Sequence, residues 1–293
     1  MAKASNGDLL VVYRAAVDHA TTNGVIEQRR STDDGATWGA ATTIATIAGQ
    51  DARDPAIANT PYGLLLTYCE YDLVSSFPRL YCDRSLDDGT TWSNLAIVDD
   101  AYSENLATSA PVVVAADGSL LWPTHGADIG DTLARLRVLK SCDGGQTWTV
   151  AATLVDATRE WVEPNITLLS GGDLLMMIRS DTGTPGIYSS RSTDDGATWT
   201  APTLAWAASG RPAVLELWGT VWCAYRANGS LRTKYRTSTD DGVSWSTEGD
   251  FSPTRAVYTY AQWCDRGGLI PAIAWAEETS ISNSAVFFSR VPA

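Results

Sequence analysis

The sequence predicts an all-β protein, a six-bladed β-propeller with four-stranded antiparallel blades. Three observations support this prediction: a turn motif that occurs five times, a spacing near fifty residues between its copies, and short apolar runs between them. A period of this length is typical of propellers and arrays of small sheets. The 293 residues divide into about six such units, and one period throughout predicts a single domain over residues 1–293.

The repeated turn motif is Ser-x-Asp-x-Gly-x-Thr/Ser-Trp. Its copies begin 54, 56, 51 and 46 residues apart, at residues 31–38, 85–92, 141–148, 192–199 and 238–245. Ser and Asp oxygens can accept backbone N–H bonds in a tight turn, and Gly supplies a position with φ > 0. The Trp is expected to bury its ring between sheets. Each copy therefore predicts a turn that joins the third and fourth strands of a blade.

A second pattern opens the units. A residue followed by Pro begins a short strand, a turn containing Gly follows, and an apolar strand comes next. Pro at the first position of a strand loses no ladder hydrogen bond, and the innermost strands of a propeller line its channel. The residues at the opening position should therefore lie near the channel mouth, where converging polar groups indicate a binding site. They are Asp54, Ala110, Glu163, Arg211 and Tyr260, the last of which precedes Ala261 instead of Pro.

The first and last blades are predicted to be incomplete. The sequence begins near the turn before the second strand of the first blade and ends after the third strand of the last. We therefore expect ring closure to be imperfect or to be supplied by another segment.

Composition excludes some classes of partner. The formal charge of −13 and the pI near 4.5 argue against nucleic acid and anionic membrane surfaces, which need basic patches. No apolar run approaches a membrane span, so no membrane insertion is expected, and no signal-peptide pattern is visible. We expect a secreted or surface-acting protein rather than a cytoplasmic one. Cys69 and Cys82 fall on strands expected to pair, as one disulfide or as buried free thiols.

The five turns resemble the Asp-boxes, or BNR repeats, of the sialidase (neuraminidase) superfamily, and the chain is similar to a six-bladed bacterial sialidase. Asp-boxes also occur in other glycosidases, lyases and non-catalytic propellers, so they indicate fold rather than chemistry. A more specific resemblance lies in residues 163–179, which are similar in pattern and length to the family stretch with the catalytic glutamate and a substrate arginine. The resemblance implies these roles for Glu163 and Arg179.

Other roles follow from the same resemblance. The loop in residues 13–31 resembles the family loop that carries the acid/base aspartate, which implies Asp18. Residues 258–263 lie where the nucleophilic tyrosine belongs, and the position of the following Gly favours Tyr260 over Tyr258. A further substrate arginine belongs on the fifth blade, where Arg232 fits best and Arg226 is the reserve.

The sequence departs from the family at the first blade, where the family has a substrate arginine in an Arg-Ile-Pro motif. Either Arg211 or Arg53 substitutes for it, or the set of arginines is incomplete. Asp54, with Pro55, is similar to the family opening of the second blade. Trp161, two residues before Glu163, could stack on a sugar ring or be buried. His19 is expected at the site rim, and His125 is expected to be structural.

The implied substrate is a sialoglycoconjugate. Guanidinium groups bind the carboxylate of a sialic acid bidentately. A neutral tyrosine nucleophile avoids repulsion by that carboxylate, and sialidases use one. Asp18 would protonate the leaving oxygen and then activate water, with retention of configuration and without a metal or cofactor. The predicted function is a retaining exo-sialidase. The alternatives are a non-catalytic carbohydrate-binding propeller and another anionic-glycan enzyme, such as a polysaccharide lyase.

Overall fold

The computed structural model shows six antiparallel β-sheets arranged as the blades of a propeller. It describes residues 1–17, 23–71, 79–98, 104–108, 110–208, 210–226, 233–250, 258–265, 271–280 and 283–290. Within these ranges the regular elements are all strands, so the all-β prediction is confirmed. A helix suited to crossing a membrane does not occur in the described part of the chain.

The strands of each sheet follow one another outward from the channel. Blade 1 contains β1 (Ala2–Lys3), β2 (Leu9–Ala15), β3 (Val25–Ser31) and β4 (Thr42–Ala45). Blade 2 contains β5 (Asp51–Thr60), β6 (Gly63–Tyr71), β7 (Leu80–Ser85) and β8 (Ser93–Val98). Blade 3 contains β9 (Glu104–Thr108), β10 (Val113–Val114), β11 (Leu120–Ala127), β12 (Arg135–Ser141) and β13 (Thr149–Leu154), with β9 paired to β11.

Blade 4 contains β14 (Val162–Leu168), β15 (Leu174–Ser180), β16 (Gly186–Ser192) and β17 (Thr203–Trp206). Blade 5 contains β18 (Ala213–Leu217), β19 (Thr220–Arg226), β20 (Thr233–Ser238) and β21 (Gly249–Asp250). Blade 6 contains β22 (Tyr258–Cys264), β23 (Ala272–Ser280) and β24 (Asn283–Arg290). Blade 6 thus has three strands among the described residues, and β1 has only two residues, which agrees with the expected incomplete blades.

The ring closes by side-chain packing between blades 6 and 1. Met1 and Leu9 from blade 1 form a buried cluster with Cys264 and Ala272 from blade 6, and Trp38 packs against it. The N-terminal amine of Met1 donates to Gln262 Oε1 at 2.7 Å. The described strands of these two blades do not pair, so closure rests on buried apolar surface.

Six apolar clusters fill the spaces between successive blades. The tryptophan of each turn motif packs into the cluster that separates its own blade from the preceding one, as the motif predicts. The five are Trp38, Trp92, Trp148, Trp199 and Trp245. For example, Trp148 meets Trp122 edge-on, with ring centroids 5.3 Å apart. The repeated motif therefore joins neighbouring blades as well as closing its own hairpin.

The first turn motif shows the hydrogen bonds that its residue types predict. Ser31 Oγ accepts from the Gly35 N–H at 2.8 Å and donates to Asp33 Oδ1 at 2.7 Å. Asp33 accepts the Thr37 N–H at 2.8 Å and the Thr37 hydroxyl at 2.5 Å, and these bonds lower the pKa of Asp33 to about 2. Gly35 has a φ of 84°, as predicted, but Asp34 is also left-handed, with a φ of 58°. The turn therefore needs two consecutive positions with φ > 0.

The fourth residue of the motif, which is left-handed and directly precedes the Gly, also contacts the preceding blade. A Lys or Arg comes directly before the motif serine in four of the five copies. In three of these, the side chain of this Lys or Arg donates to the backbone carbonyl of the fourth motif residue in the next blade. These inter-blade latches are Arg30 to Asp88 at 2.5 Å, Lys140 to Asp195 at 3.0 Å, and Arg191 to Asp241.

All five cysteines are free. Cys69 on β6 faces Leu80 across the ladder, whereas Cys82 on β7 faces Thr67. The two thiols are therefore two residues out of register, and both are buried. Of the two sequence alternatives, the structure shows buried free thiols.

Candidate active site at the channel mouth

Asp54 and Glu163 occupy matching positions in blades 2 and 4. Each precedes a proline, each has a φ of 51°, and each lies at a register shift between the inner strand and its neighbour. A left-handed residue other than Gly costs about 1–3 kcal/mol and persists only where the surrounding structure stabilises it. The prediction that a proline opens the inner strand is therefore wrong in blades 2 and 4, because Pro55 and Pro164 lie inside β5 and β14, at bulges. A bulge at such a place re-aims a side chain.

Glu163 binds through both its side chain and its backbone. Its carboxylate accepts a hydrogen bond from Arg179 NH1 at 2.8 Å, and its N–H donates to His125 Nδ1 at 3.2 Å. Arg179 also donates from Nε to Asp181 at 3.0 Å. Burial disfavours the charge on Arg179, but Glu163 and Asp181 outweigh burial and raise its pKa. The guanidinium is therefore charged and held between two carboxylates.

Asp54 lies within electrostatic range of Glu163. Burial raises the pKa of Asp54, Arg211 and Arg53 oppose that change, and Glu163 adds to it. The Cys69 thiol donates a weak hydrogen bond to Asp54 Oδ2 at 3.8 Å. Arg211 is 8% exposed and precedes β18. The structure therefore brings together five of the residues that the sequence assigned to the site: Asp54, Glu163, Arg179, Arg211 and Arg53.

His125, on β11, stands beside the same group. Its pKa is lowered to about 4 by burial and by the positive charges of Arg179 and Arg211, with Glu163 acting in the opposite sense. The imidazole is therefore neutral near pH 7, which leaves Nδ1 able to accept the hydrogen bond from Glu163. The sequence prediction of a structural His125 missed this contact with the site.

A second cluster lies next to Asp54, at the junction of blades 1 and 2. Asp51 is fully buried and accepts hydrogen bonds from Arg14 Nε at 2.8 Å, Arg14 NH2 at 2.9 Å and Arg53 Nε at 2.5 Å. The Arg53 guanidinium also stacks over the Tyr71 ring, 4.1 Å from its centroid. Asp51 thus fixes two guanidinium groups whose side chains are 20% and 14% exposed.

The remaining predicted residues differ in how far the structure describes them. Trp161 is 1% exposed and packs edge-on against Tyr188, with centroids 5.0 Å apart. Its ring faces the core between blades 3 and 4, so of the two sequence alternatives, stacking on a sugar and burial, the structure shows burial. Asp18 and Arg232 lie outside the described residues. Tyr260 belongs to β22, but its side chain lies outside the described part of the structure.

The inner strands show where the Tyr260 backbone stands. Below the mouth, they line a channel cavity of about 580 Å³, to which Ile57, Asn165, Ala213 and Gln262 contribute. Asn165, Ala213 and Gln262 each follow an opening position by two residues, at Glu163, Arg211 and Tyr260. The backbone of Tyr260 therefore lies at the same end of the channel as Glu163 and Arg211.

Four residues at the mouth were not assigned to the site from the sequence: His125, Asp181, Arg14 and Asp51. Two of them had a local signal, because Asp181 follows Arg179 by two residues and Asp51 precedes Arg53 by two. Residues two apart on a strand share a face, so each acid could have been paired with its arginine. His125 and Arg14 contact partners 38 and 37 residues away, and no local pattern indicates such contacts.

Comparison with known proteins supports the fold. Residues 6–225 match the family described as a BNR repeat-like domain. Curated proteins gave no significant match to the sequence. Among solved structures, the Hadza microbial sialidase Hz136 has a TM-score of 0.79 and 18% identity, covering 99% of this chain and 64% of that one.

Two other similar structures are a protein of unknown function from Dyadobacter fermentans and the Trypanosoma rangeli sialidase in complex with the inhibitor DANA. The first has a TM-score of 0.82 and 17% identity, covering 99% of this chain and 92% of that one. The second has a TM-score of 0.77 and 16% identity, covering 99% of this chain and 53% of that one. The chain thus spans 64% and 53% of the lengths of the two sialidases. Identities this low establish a common fold only.

Proposed function

Because the chain belongs to the BNR repeat-like domain family and has the fold of sialidases, we propose that it is a retaining exo-glycosidase that removes terminal sialic acid from glycoconjugates. The observation that supports this proposal most strongly is the Glu163–Arg179 pair at the channel mouth. The left-handed backbone of Glu163 lies at a bulge, which re-aims its side chain. Asp54 is close enough to interact electrostatically with both Glu163 and Arg211. Anionic and cationic groups thus meet at one end of the channel.

In this proposal the arginines bind the carboxylate of the sugar. Arg179 and Arg211 are the described candidates, and Arg232 would complete the set. A guanidinium stays charged at any working pH and pairs with a carboxylate in a fork. Asp181 and Glu163 hold Arg179 from two sides, which restricts its orientation before substrate arrives. Restricting a binding group beforehand lowers the entropic cost of binding.

The chemistry would use Tyr260, Glu163 and Asp18. Glu163 as a carboxylate accepts the phenol proton while the Tyr260 oxygen attacks the anomeric carbon. Asp18 protonates the leaving glycosidic oxygen and later removes a proton from the attacking water. Two displacements at one carbon retain its configuration. Asp54 and Arg53 are proposed to contact sugar hydroxyls beside this centre.

The test is hydrolysis of a fluorogenic α-sialoside by the purified chain. Glu163→Gln keeps the size of the side chain but removes the base, so kcat should fall by about 10²–10⁴-fold. Tyr260→Phe and Asp18→Ala should also abolish most turnover. Glu216→Gln is a matched control, because Glu216 lines the channel cavity on β18, three residues beyond Ala213.

Each alternative function gives a different result. A wild-type chain that binds sialosides without turnover would indicate a carbohydrate-binding propeller. Cleavage of uronic-acid polymers with new ultraviolet absorbance would indicate a lyase. Sialoside turnover that survives both Glu163→Gln and Tyr260→Phe would contradict the residue assignments while keeping the enzyme class.

A further inference from the structure

The backbone of Glu163 needs a hydrogen-bond acceptor outside its own sheet. The pairing of β14 with β15 shifts between Val162 and Asn165, so Glu163 lies in the interrupted part of the ladder. Its φ of 51° is unfavourable for a residue that carries a Cβ, and Pro164 restricts it further. Such a conformation persists only when its surroundings stabilise it.

His125 provides that acceptor from the neighbouring blade. Its Nδ1 receives the Glu163 N–H at 3.2 Å across the interface between blades 3 and 4. The His125 backbone is fixed on both sides, because it faces Leu136 on β12 and Ala107 on β9. A residue held between two strands cannot move away without breaking ladder bonds, so it suits a positioning role.

The acceptor role requires one protonation state. Nδ1 can accept only if the imidazole is neutral with its proton on Nε2. The charged groups that act on His125 are Glu163 on β14, Arg179 on β15 and Arg211 before β18. The two guanidinium groups and burial disfavour an imidazolium here, and together they outweigh the attraction of Glu163.

We propose that His125, as the neutral Nε2–H tautomer, is a positioning residue that holds the Glu163 backbone in its left-handed conformation and so fixes the Glu163 carboxylate against Arg179. This inference deepens the proposed function and rests on it for the kinetic consequence. The geometric part stands on the contacts alone. His125 acts through Glu163, so its loss should lower kcat by a larger factor than it raises KM, because Asp181 still holds the substrate-binding Arg179.

The first test does not depend on activity. The chain has only two histidines, His19 and His125, so a ¹⁵N-histidine NMR spectrum contains two sets of ring signals, and His125→Asn identifies one of them. We expect His125 to be the Nε2–H tautomer at pH 7 and to titrate near pH 4. A His125 ring with its proton on Nδ1, or one that titrates near its ordinary value of about 6.5, would overturn the proposal.

The second test separates positioning from general damage. Asn can present Oδ1 where His125 has Nδ1, so His125→Asn should keep kcat within about 3-fold, whereas His125→Leu should lower it about 100-fold, as a misplaced catalytic group does. Thr124→Val is the control, because Thr124 precedes His125 on β11 and its hydroxyl donates to the Arg137 carbonyl on β12 at 3.1 Å; loss of this bond should leave kcat unchanged. Equal losses in the Asn and Leu variants would overturn the proposal.

The two tests also separate this proposal from the proposed function. If the wild-type chain hydrolyses no sialoside, the proposed function fails, and the histidine spectrum decides the positioning role alone. If His125→Leu does not fold, the spectrum of the wild-type chain and the kinetics of His125→Asn remain decisive.

Discussion

Gly24→Ala should destabilise the fold by displacing the buried carboxylate of Asp51. A methyl group at Gly24 would lie 1.8 Å from Asp51 Oδ1 and 2.9 Å from Arg14 Nε. Asp51 is fully buried and fixed by three bonds from Arg14 and Arg53. The Gly24 backbone cannot retreat easily, because its carbonyl accepts the Ala52 N–H at 3.0 Å. The carboxylate must therefore move away from its two guanidinium partners.

The expected loss follows from breaking that buried pair. Separating one partner from a buried ion pair costs about 3–5 kcal/mol. Because the Arg14 and Arg53 side chains are 20% and 14% exposed, water can replace part of what they lose. We therefore expect the lower end, about 3 kcal/mol, which corresponds to a Tm lower by about 5 °C for a domain of this size.

Urea unfolding and thermal melts followed by circular dichroism measure this loss. Gly171→Ala is the matched control: Gly171 lies in a turn, an added Cβ meets nothing within 4 Å, and its φ is not positive. That variant should gain about 0.4–1 kcal/mol, because it restricts the unfolded chain. If Gly24→Ala melts at the same temperature as Gly171→Ala, the reasoning about Asp51 is refuted.

Three further predictions concern stability. The turn-motif carboxylates have pKa values near 2 in the folded state, below the unfolded value of about 3.9. They therefore stabilise the fold above pH 4, and this stabilisation is lost as the pH falls toward 2. Tm should fall steeply between pH 4 and pH 2, and a flat profile there would contradict this account. The carboxylates are those of Asp33, Asp87, Asp143, Asp194 and Asp240. Trp148→Ala should cost about 3 kcal/mol in urea unfolding, because it empties the space beside Trp122; a cost under about 1 kcal/mol would refute the proposed packing role. Trp218 is 68% exposed with a φ of 53° before Gly219 at 78°, so Trp218→Asn should raise Tm, since Asn-Gly suits a turn with two left-handed residues, and a lower Tm would contradict this.

The sequence was sufficient for the architecture because the information is local and repeated. The contacts of Ser31, Asp33 and Thr37 all fall within the eight residues of one motif. Residue types alone therefore predict the turn, and five copies at a regular spacing predict the blades. The inter-blade latch was not predicted, because it joins residues 58 positions apart, as in Arg30 and Asp88.

The site could be predicted only in part, for the same physical reason. Asp54, Glu163 and Arg211 share a sequence position, before a proline, and the structure places them together. Their backbone conformation was not predictable, because a proline at a strand start and one at a bulge look alike in sequence. Trp161 was left open by the sequence, because an aromatic residue two positions from a candidate acid can stack on a sugar or belong to the core. Its packing against Tyr188 shows that it belongs to the core.

The matching left-handed positions in blades 2 and 4 have a consequence for how such a protein can evolve. The backbone conformation is the same at both positions, so the side chain at each can change without a change in the rest of its blade. At present one carries the short acid Asp54 and the other the longer Glu163, which reaches Arg179. A single substitution at either position would therefore alter the length or the charge of the side chain that a ligand meets at the channel mouth.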